Sequence, residues 1–150
     1  MGFDNHAAAN AAGKKNYAGK RLLIAEDVEI NREILTTLLE DSGLIIDCAE
    51  NGREAVAMVA SAQENYDIVF MDIQMPVMDG LEATRHIREM EKKQNLASES
   101  ELSKRMPIIA MTGNVFVDDI KKCIDAGMDD HLGKPIDIEK VMEKLQIYLS

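Results

Sequence analysis

YDIVFMDIQMPVMDG, residues 66–80, contains the clearest structural signal in this sequence. Ile68 to Met71 form a short continuous apolar run between polar residues, which is typical of a strand covered on both faces. We expect this strand to end at Asp72, because Pro76 disfavours helix in the residue before it and Asp79-Gly80 is a turn signal. Ligands of open parallel sheets bind beyond the carboxyl ends of the strands. Asp72 is therefore a candidate site residue, although a single Asp in this place is more often only a turn or capping residue.

The bulk composition indicates one globular domain. The chain has 150 residues, of which 46% are hydrophobic and 29% charged, and this length suffices for one substantial core. A net charge of −10 argues against direct binding to nucleic acid or anionic membranes, which need clustered Lys and Arg. No apolar run approaches a membrane helix, and the N-terminus does not resemble a signal peptide. We therefore expect a cytoplasmic protein in which Cys48 and Cys123 are buried, reduced thiols.

Apolar periodicity predicts five strands that alternate with five helices. This alternation implies a parallel sheet with helices on both faces, and five such units favour the flavodoxin-like order 2-1-3-4-5 in a three-layer sandwich. The predicted strands are residues 21–25, 44–48, 68–71, 106–111 and 130–133, and the predicted helices are residues 29–42, 51–62, 81–90, 115–126 and 138–149.

Two segments lack a clear periodic pattern. Residues 1–19 are rich in Ala, Asn and Gly and are predicted to be a flexible leader or linker, which leaves residues 20–150 as the domain. Residues 91–105 are polar, charged and rich in Ser, and they are predicted to form a surface extension of the third helix followed by a loop.

Polar residues follow four of the predicted strands: Glu26-Asp27, Asp72, Thr112 and Lys134. In the predicted strand order these four strand ends are neighbours. Like charges about 4 Å apart repel by roughly 4 kcal/mol at an effective dielectric near 20, so three clustered carboxylates favour a bound cation such as Mg²⁺. Thr112 and Lys134 could then bind a phosphoryl group, and an Asp carboxylate can form an aspartyl phosphate.

Each of these residues has a simpler explanation when it is considered alone. Glu26-Asp27 could cap the next helix, Thr112 could be a turn residue and Lys134 could be a solvated surface charge. Their joint occurrence at four strand ends favours one shared site.

The segment from about Lys20 to Leu149 resembles a receiver domain of the response regulators of two-component and phosphorelay signalling. The flavodoxin-like strand order is itself known from a chemotaxis receiver, so the predicted topology draws partly on this family. The motifs that carry the resemblance are Glu26-Asp27, Asp72 within residues 71–80, Met111-Thr112-Gly113, Ala126-Gly127-Met128-Asp129-Asp130 and Lys134-Pro135.

The resemblance implies that Asp72 accepts a phosphoryl group from a phosphohistidine on a histidine kinase or a histidine phosphotransfer protein. It implies Mg²⁺, for which Mn²⁺ can substitute, held by Asp27, Asp72 and the backbone carbonyl of Gln74, with Glu26 acting through water. The expected chemistry is Mg²⁺-dependent self-phosphorylation and autodephosphorylation at Asp72, without turnover of a separate substrate.

The same resemblance assigns roles at the ends of the fourth and fifth strands. Thr112 and Lys134 would bind phosphoryl oxygens, and the Lys134-Pro135 peptide is expected to be cis. Receivers usually carry Tyr or Phe three residues before this lysine, where the ring moves inward as the Thr engages phosphate. Here the residue is His131, which is either a switch partner of Thr112 with added pH sensitivity or an ordinary surface residue.

Asn31, in the context Glu26-Asp27-Val28-Glu29-Ile30-Asn31, is similar to receivers that are fused to hybrid sensor histidine kinases. Output is expected through protein contacts on the face between the fourth and fifth helices. Two other classes of protein fit the sequence less well. A phosphohydrolase with an aspartyl nucleophile is disfavoured because Gln74 stands where a general-acid Asp would be needed, and a pseudo-receiver that only docks partners is disfavoured by the complete set of site residues.

Overall fold

A computed structural model describes residues 16–97, 105–113 and 117–149. In these ranges five parallel strands form one sheet in the order β2-β1-β3-β4-β5, which confirms the predicted flavodoxin-like α/β fold. The strands are β1 (Arg21–Ala25), β2 (Ile45–Ala49), β3 (Ile68–Asp72), β4 (Ile108–Thr112) and β5 (Asp130–Gly133), and the helices are α1 (Glu29–Leu38), α2 (Gly52–Ser61), α3 (Gly80–Ala97), α4 (Val117–Ala126) and α5 (Ile138–Leu149).

Successive side chains of each strand enter two separate cores, because strand side chains alternate between the faces of a sheet. Val69 of β3 packs in the core that α2, α3 and α4 cover, where Ile87 of α3 is fully buried. The next residue, Phe70, packs in the opposite core against Leu35 of α1 and Val141 of α5. All five residues of β3 and of β4 are buried, as the continuous apolar runs predicted.

The first helix is shorter than predicted. α1 ends at Leu38 instead of residue 42, because the next residues form a turn in which Ser42 Oγ donates to the Leu39 carbonyl at 2.6 Å. Gly43 then adopts a φ of +85°, a left-handed conformation that glycine reaches without strain.

The third helix is longer than its apolar pattern indicates. α3 continues to Ala97, in agreement with the predicted surface extension, whereas residues 98–104 of that segment lie outside the described residues.

Tyr17 belongs to the fold, although it was predicted to lie in the leader. Its side chain is buried in the same core as Phe70, and its N–H donates to the Ser42 carbonyl at 2.8 Å. An isolated Tyr in a stretch rich in Ala, Asn and Gly creates no periodic signal, yet it buries a large apolar area. The described part of the predicted leader, residues 16–19, therefore belongs to the fold, while residues 1–15 lie outside the described residues.

Both cysteines are free thiols, as predicted. Cys123 is buried but Cys48 is only half-buried, because it lies on the edge strand β2.

Among the described residues, no helix combines the length and the hydrophobicity required to cross a bilayer.

Arg88 fixes α3 to one edge of the sheet. The strand ends that carry the acidic residues lie at the opposite edge. Its Nη2 lies 2.8 Å from Asp129 Oδ2, and its other nitrogens donate to the carbonyls of Gly127 and Met106 at 2.8 Å each. Glu91 adds a contact by accepting the Met106 N–H at 2.9 Å. These contacts hold the start of β4 and the α4–β5 connection against α3.

The connection from β3 to α3 folds back tightly on Asp72. The N–H of Gly80 donates to the Ile73 carbonyl at 2.8 Å, and a Cβ at Gly80 would overlap the Asp72 carbonyl oxygen and lie 2.9 Å from Met71 Cγ. Only glycine permits this approach, so Gly80 sets the position of the backbone behind Asp72.

We expect Gly80→Ala to reduce the free energy of unfolding by about 1–3 kcal/mol, measured by urea denaturation. The overlap with backbone atoms costs more than the roughly 1 kcal/mol that Ala gains over Gly in a helix. Gly113→Ala is the matched control, because a Cβ at Gly113 meets no atom of the described residues within 4 Å. Equal stability of the two variants would contradict the argument.

Candidate active site

The carboxyl-terminal edge of the sheet forms an open crevice with a volume of about 410 Å³. Five residues predicted from the sequence line it: Glu26 and Asp27 after β1, Asp72 at the end of β3, Thr112 at the end of β4, and Lys134 after β5. Parallel strands end at the same edge of a sheet, and the strand order makes these ends neighbours. The fold therefore brings these five predicted residues into one crevice.

Three carboxylates converge in the crevice. Glu26, Asp27 and Asp72 each place one carboxylate oxygen within 4.8 Å of the others. Glu26 is only 1% exposed and Asp72 only 4% exposed, so water screens their charges poorly. Hard oxygen donors at this density are the ligands that divalent cations such as Mg²⁺ prefer, so the residues present fit such a cation.

Lys134 places a positive charge beside two of these carboxylates. Its Nζ lies 3.1 Å from Glu26 Oε1 and 3.2 Å from Asp72 Oδ2. Burial opposes the charged form of Lys134, but the two carboxylates outweigh burial and raise its pKa above the ordinary value. The peptide between Lys134 and Pro135 is cis.

The two buried carboxylates differ in pKa because their partners differ. Burial and the charge of Glu26 together raise the pKa of Asp72 to about 6, although Lys134 acts in the opposite direction. Burial also disfavours ionised Glu26, but hydrogen bonds from the Val28 N–H and from Lys134 bring its pKa below the ordinary value. Asp72 is consequently the more basic of the two.

The backbone after β3 is folded so that it faces Asp72. The N–H of Gln74 donates to Asp72 Oδ1 at 3.3 Å, and Gln74 lines the crevice. Further along, the Met78 N–H donates to the Pro76 carbonyl at 2.7 Å across Val77, whose φ is +70°. A β-branched residue with positive φ is strained, and such strain is concentrated near functional sites.

His131 does not line the crevice. It lies on β5, where the adjacent Leu132 enters the core, and its Nδ1 is 3.9 Å from Asp130 Oδ1. Its register partner is Ala110 of β4, whereas the partner of Thr112 is Gly133. The two predicted switch residues are therefore on adjacent strands but are not opposite each other.

Sequence reasoning missed a polar cluster beside His131. Asp130 Oδ2 lies 3.0 Å from Lys144 Nζ and 3.1 Å from the Tyr148 hydroxyl. Despite burial, Lys144 and the His131 N–H lower the pKa of Asp130, while burial and the charge of Asp130 raise the pKa of Tyr148 to about 12. The i,i+4 spacing of Lys144 and Tyr148 puts them on one helix face, but the sequence does not show that Asp130 faces them.

Two further groups near the crevice were also missed. Asp119, Lys122 and Cys123 of α4 line its wall, and their spacing places them on one face of that helix. Behind the acidic pair, Arg32 Nη1 donates to the Glu26 carbonyl at 2.7 Å.

Comparison with known sequences places the chain among signalling proteins. The family described as "Response regulator receiver domain" matches residues 22–146. Hybrid signal transduction histidine kinase L of Dictyostelium discoideum is 42% identical over 129 residues, which cover 85% of this chain and 7% of that protein. Probable histidine kinase 1 of Oryza sativa subsp. indica is 36% identical over 165 residues, which cover 96% of this chain and 17% of that protein. The chain thus spans only a small part of these relatives.

Solved structures show the same fold. The co-crystal structure of the Saccharomyces cerevisiae histidine phosphotransfer signaling protein Ypd1 with the receiver domain of its downstream response regulator Ssk1 matches with a TM-score of 0.80 and 31% identity, covering 89% of this chain and 91% of the matched chain. The receiver domain of sensor histidine kinase PA1611 from Pseudomonas aeruginosa PAO1, with a magnesium ion coordinated in the active site cleft, matches with a TM-score of 0.71 and 32% identity, covering 88% and 98%.

The sequence match extends over most of the chain, and the matched receivers share its sheet order and its helices. The crevice lies at the carboxyl ends of the strands and is lined by the residues whose motifs resemble those of receivers. This chain belongs to the response regulator receiver domain family of two-component signalling.

Proposed function

We propose that this receiver domain is a phosphoacceptor, in which Asp72 takes a phosphoryl group from a phosphohistidine. The observation that carries the proposal is the Asp72 carboxylate, which borders the crevice, is nearly buried and lies 3.2 Å from the Lys134 ammonium. A buried carboxylate next to a fixed ammonium can act as a nucleophile towards an anionic group whose charge the ammonium offsets.

In the transfer step an oxygen of the Asp72 carboxylate attacks phosphorus. The new O–P bond forms as the P–N bond to the donor histidine breaks, and the imidazole nitrogen retains the electron pair of that bond and takes a proton from solvent. Attack needs the ionised carboxylate. A pKa of about 6 leaves Asp72 mostly ionised at neutral pH and more basic than an exposed Asp.

The other crevice residues have supporting roles in this proposal. Lys134 and the hydroxyl of Thr112 bind phosphoryl oxygens, and Asp27, Asp72 and the backbone carbonyl of Gln74 hold Mg²⁺, with Glu26 acting through water. When bound, Mg²⁺ or Mn²⁺ supplies positive charge that stabilises the transferring phosphoryl group. The magnesium ion in the cleft of the PA1611 receiver supports this assignment.

The partner that donates the phosphoryl group is proposed to dock on α1. Ile30, Ile34 and Leu38 are 57%, 46% and 40% exposed, and their spacing of four residues places them on one face of the helix. Ile34 also lines a small groove together with Glu26 and Lys134, so this apolar stripe adjoins the acidic crevice. Exposed apolar patches of this kind mark interaction sites.

The comparisons support a histidine phosphotransfer protein or a histidine kinase as this partner. The Ssk1 receiver was crystallised with the phosphotransfer protein Ypd1, and the curated relatives are histidine kinases. We propose that the chain is the receiver of a hybrid histidine kinase. A downstream protein would bind the face between α4 and α5, which His131 adjoins on the intervening strand β5. Ile124 of α4 and Ile147 of α5 are each 61% exposed.

We expect the wild-type protein to gain one phosphoryl group when it is incubated with acetyl phosphate and Mg²⁺, as measured by intact mass. Asp72→Asn should gain none, because Asn cannot form the acyl phosphate. Asp79→Asn is the matched control, since Asp79 lies in the same loop but accepts the Glu82 N–H as a helix cap, a role that Asn retains. If folded wild type binds Mg²⁺ but is not phosphorylated, the docking-module alternative replaces the proposal.

The raised pKa of Asp72 predicts how stability depends on pH without metal. Between the ordinary pKa of 3.8 and the folded value of about 6, the folded state binds the proton more tightly, so the free energy of unfolding falls as pH rises through this window. We expect Asp72→Asn, which resembles the neutral carboxyl group, to be about 1–3 kcal/mol more stable than wild type at pH 7 in urea denaturation.

This difference should disappear near pH 4, and saturating Mg²⁺ should stabilise wild type more than Asp72→Asn at pH 7. If Asp72→Asn were less stable than wild type in metal-free buffer at pH 7, repulsion at Asp72 would not be the dominant effect on the free energy of unfolding.

Ile34→Glu is expected to weaken docking of a histidine phosphotransfer protein by tenfold or more, because it places a charge in the apolar stripe of α1. The dissociation constant can be measured by isothermal titration calorimetry. Ile124→Glu is the matched control, since it makes the same change at a similarly exposed apolar residue on α4. If only Ile124→Glu reduced binding, the donor would dock on the other face.

A further inference from the structure

The carbonyl oxygen of Glu26 accepts a hydrogen bond from Arg32 Nη1 at 2.7 Å. This carbonyl belongs to the peptide that joins Glu26 to Asp27, the two acidic residues after β1. It lies one residue beyond the last paired position of the β1–β3 ladder, where Ala25 is opposite Met71. Arg32 therefore acts at the point where β3 no longer fixes this backbone.

The loop between Glu26 and α1 lacks an ordinary helix cap. The N-cap residue is Val28, whose side chain has no oxygen to accept an N–H of the first turn. The Glu26 N–H donates to the Ala49 carbonyl of β2 at 3.0 Å. Beyond this bond, two contacts that involve side chains hold the loop: the Val28 N–H donates to Glu26 Oε2 at 3.0 Å, and Arg32 donates to the Glu26 carbonyl. Glu26 accepts both of these hydrogen bonds, so the first turn of α1 orients the acidic pair through them.

Lys134 already binds the other carboxylate oxygen of Glu26 at 3.1 Å. The side chain of Glu26 is thus held by Lys134 and Val28, whereas the peptide that carries Asp27 is held by Arg32. Asp27 is only half-buried, so packing restrains it less than it restrains Glu26 or Asp72.

We infer that Arg32 is a positioning residue, which holds the Glu26–Asp27 peptide so that the Asp27 carboxylate faces Asp72 for binding a divalent cation. This inference rests on the proposed function, since it concerns the same metal site. Arg32 acts through the main chain, and its removal should change metal affinity without removing a metal ligand.

Positioning and charge predict opposite changes in Mg²⁺ affinity when Arg32 is removed. A guanidinium near three carboxylates repels a divalent cation, so its removal would strengthen Mg²⁺ binding if electrostatics were its only effect. Loss of a group that orients a metal ligand typically weakens metal affinity by about 10–100-fold. Because Arg32 acts one step further away, through a peptide group, we expect a loss of about tenfold.

The test compares the Mg²⁺ dissociation constants of wild type, Arg32→Met, Arg32→Lys and Arg85→Met by isothermal titration calorimetry with magnesium chloride. Arg85 is exposed on α3, and its substitution removes the same charge. We expect about tenfold weaker binding for Arg32→Met, partial restoration for Arg32→Lys, which keeps the charge and a donor, and the wild-type value for Arg85→Met. Arg32→Gln serves as the neutral variant if Arg32→Met does not fold.

Wild-type or tighter binding by the neutral Arg32 variant would overturn the inference and leave the proposed function intact. Absence of Mg²⁺ binding by wild type would instead overturn the proposed metal site, on which the inference depends. The two failures are therefore distinguishable in one set of titrations.

Discussion

The ammonium of Lys134, held between the carboxylates of Glu26 and Asp72, is the interaction on which the rest of the crevice depends. Lys134 and Glu26 are 108 residues apart in sequence, so only the complete sheet brings them together. The single charge of the ammonium offsets only part of the charge of the three carboxylates that converge beside it, those of Glu26, Asp27 and Asp72. Burial and the charge of Glu26 explain why Asp72 is unusually basic, and the uncompensated negative charge explains why the site suits a cation and an anion bound together.

Apolar packing holds these charges in place. β3 lies between two cores, with Val69 facing one and Phe70 the other, so Asp72 cannot move away from its neighbours without shifting both. Full burial of one large apolar side chain stabilises the fold by about 1.5–3 kcal/mol. Burial of the many large apolar side chains of the sheet therefore stabilises the fold by more than the repulsion of about 4 kcal/mol expected for a close carboxylate pair in this environment.

The topology and the five crevice residues could be predicted because both depend on short-range patterns. Buried strands appear as continuous apolar runs, and the residues after them must lie at one edge of the sheet. Contacts that depend on side-chain direction could not be predicted. Lys144 and Tyr148 meet Asp130 across separate elements, and Tyr17 enters the core from a segment without periodicity. The end of α1 at Leu38 also depends on local turn hydrogen bonds that apolar spacing does not reveal.

The buried position of Tyr17 determines where the domain first bears a pulling force. This side chain and the bond from the Tyr17 N–H to the Ser42 carbonyl attach the chain to the domain before it reaches β1. A pull on the preceding residues would therefore load Tyr17 and the turn after α1 first, while β1 stays paired on both sides by β2 and β3. Glu26 follows directly after β1, so this anchorage shields the acidic pair from a force applied before Tyr17.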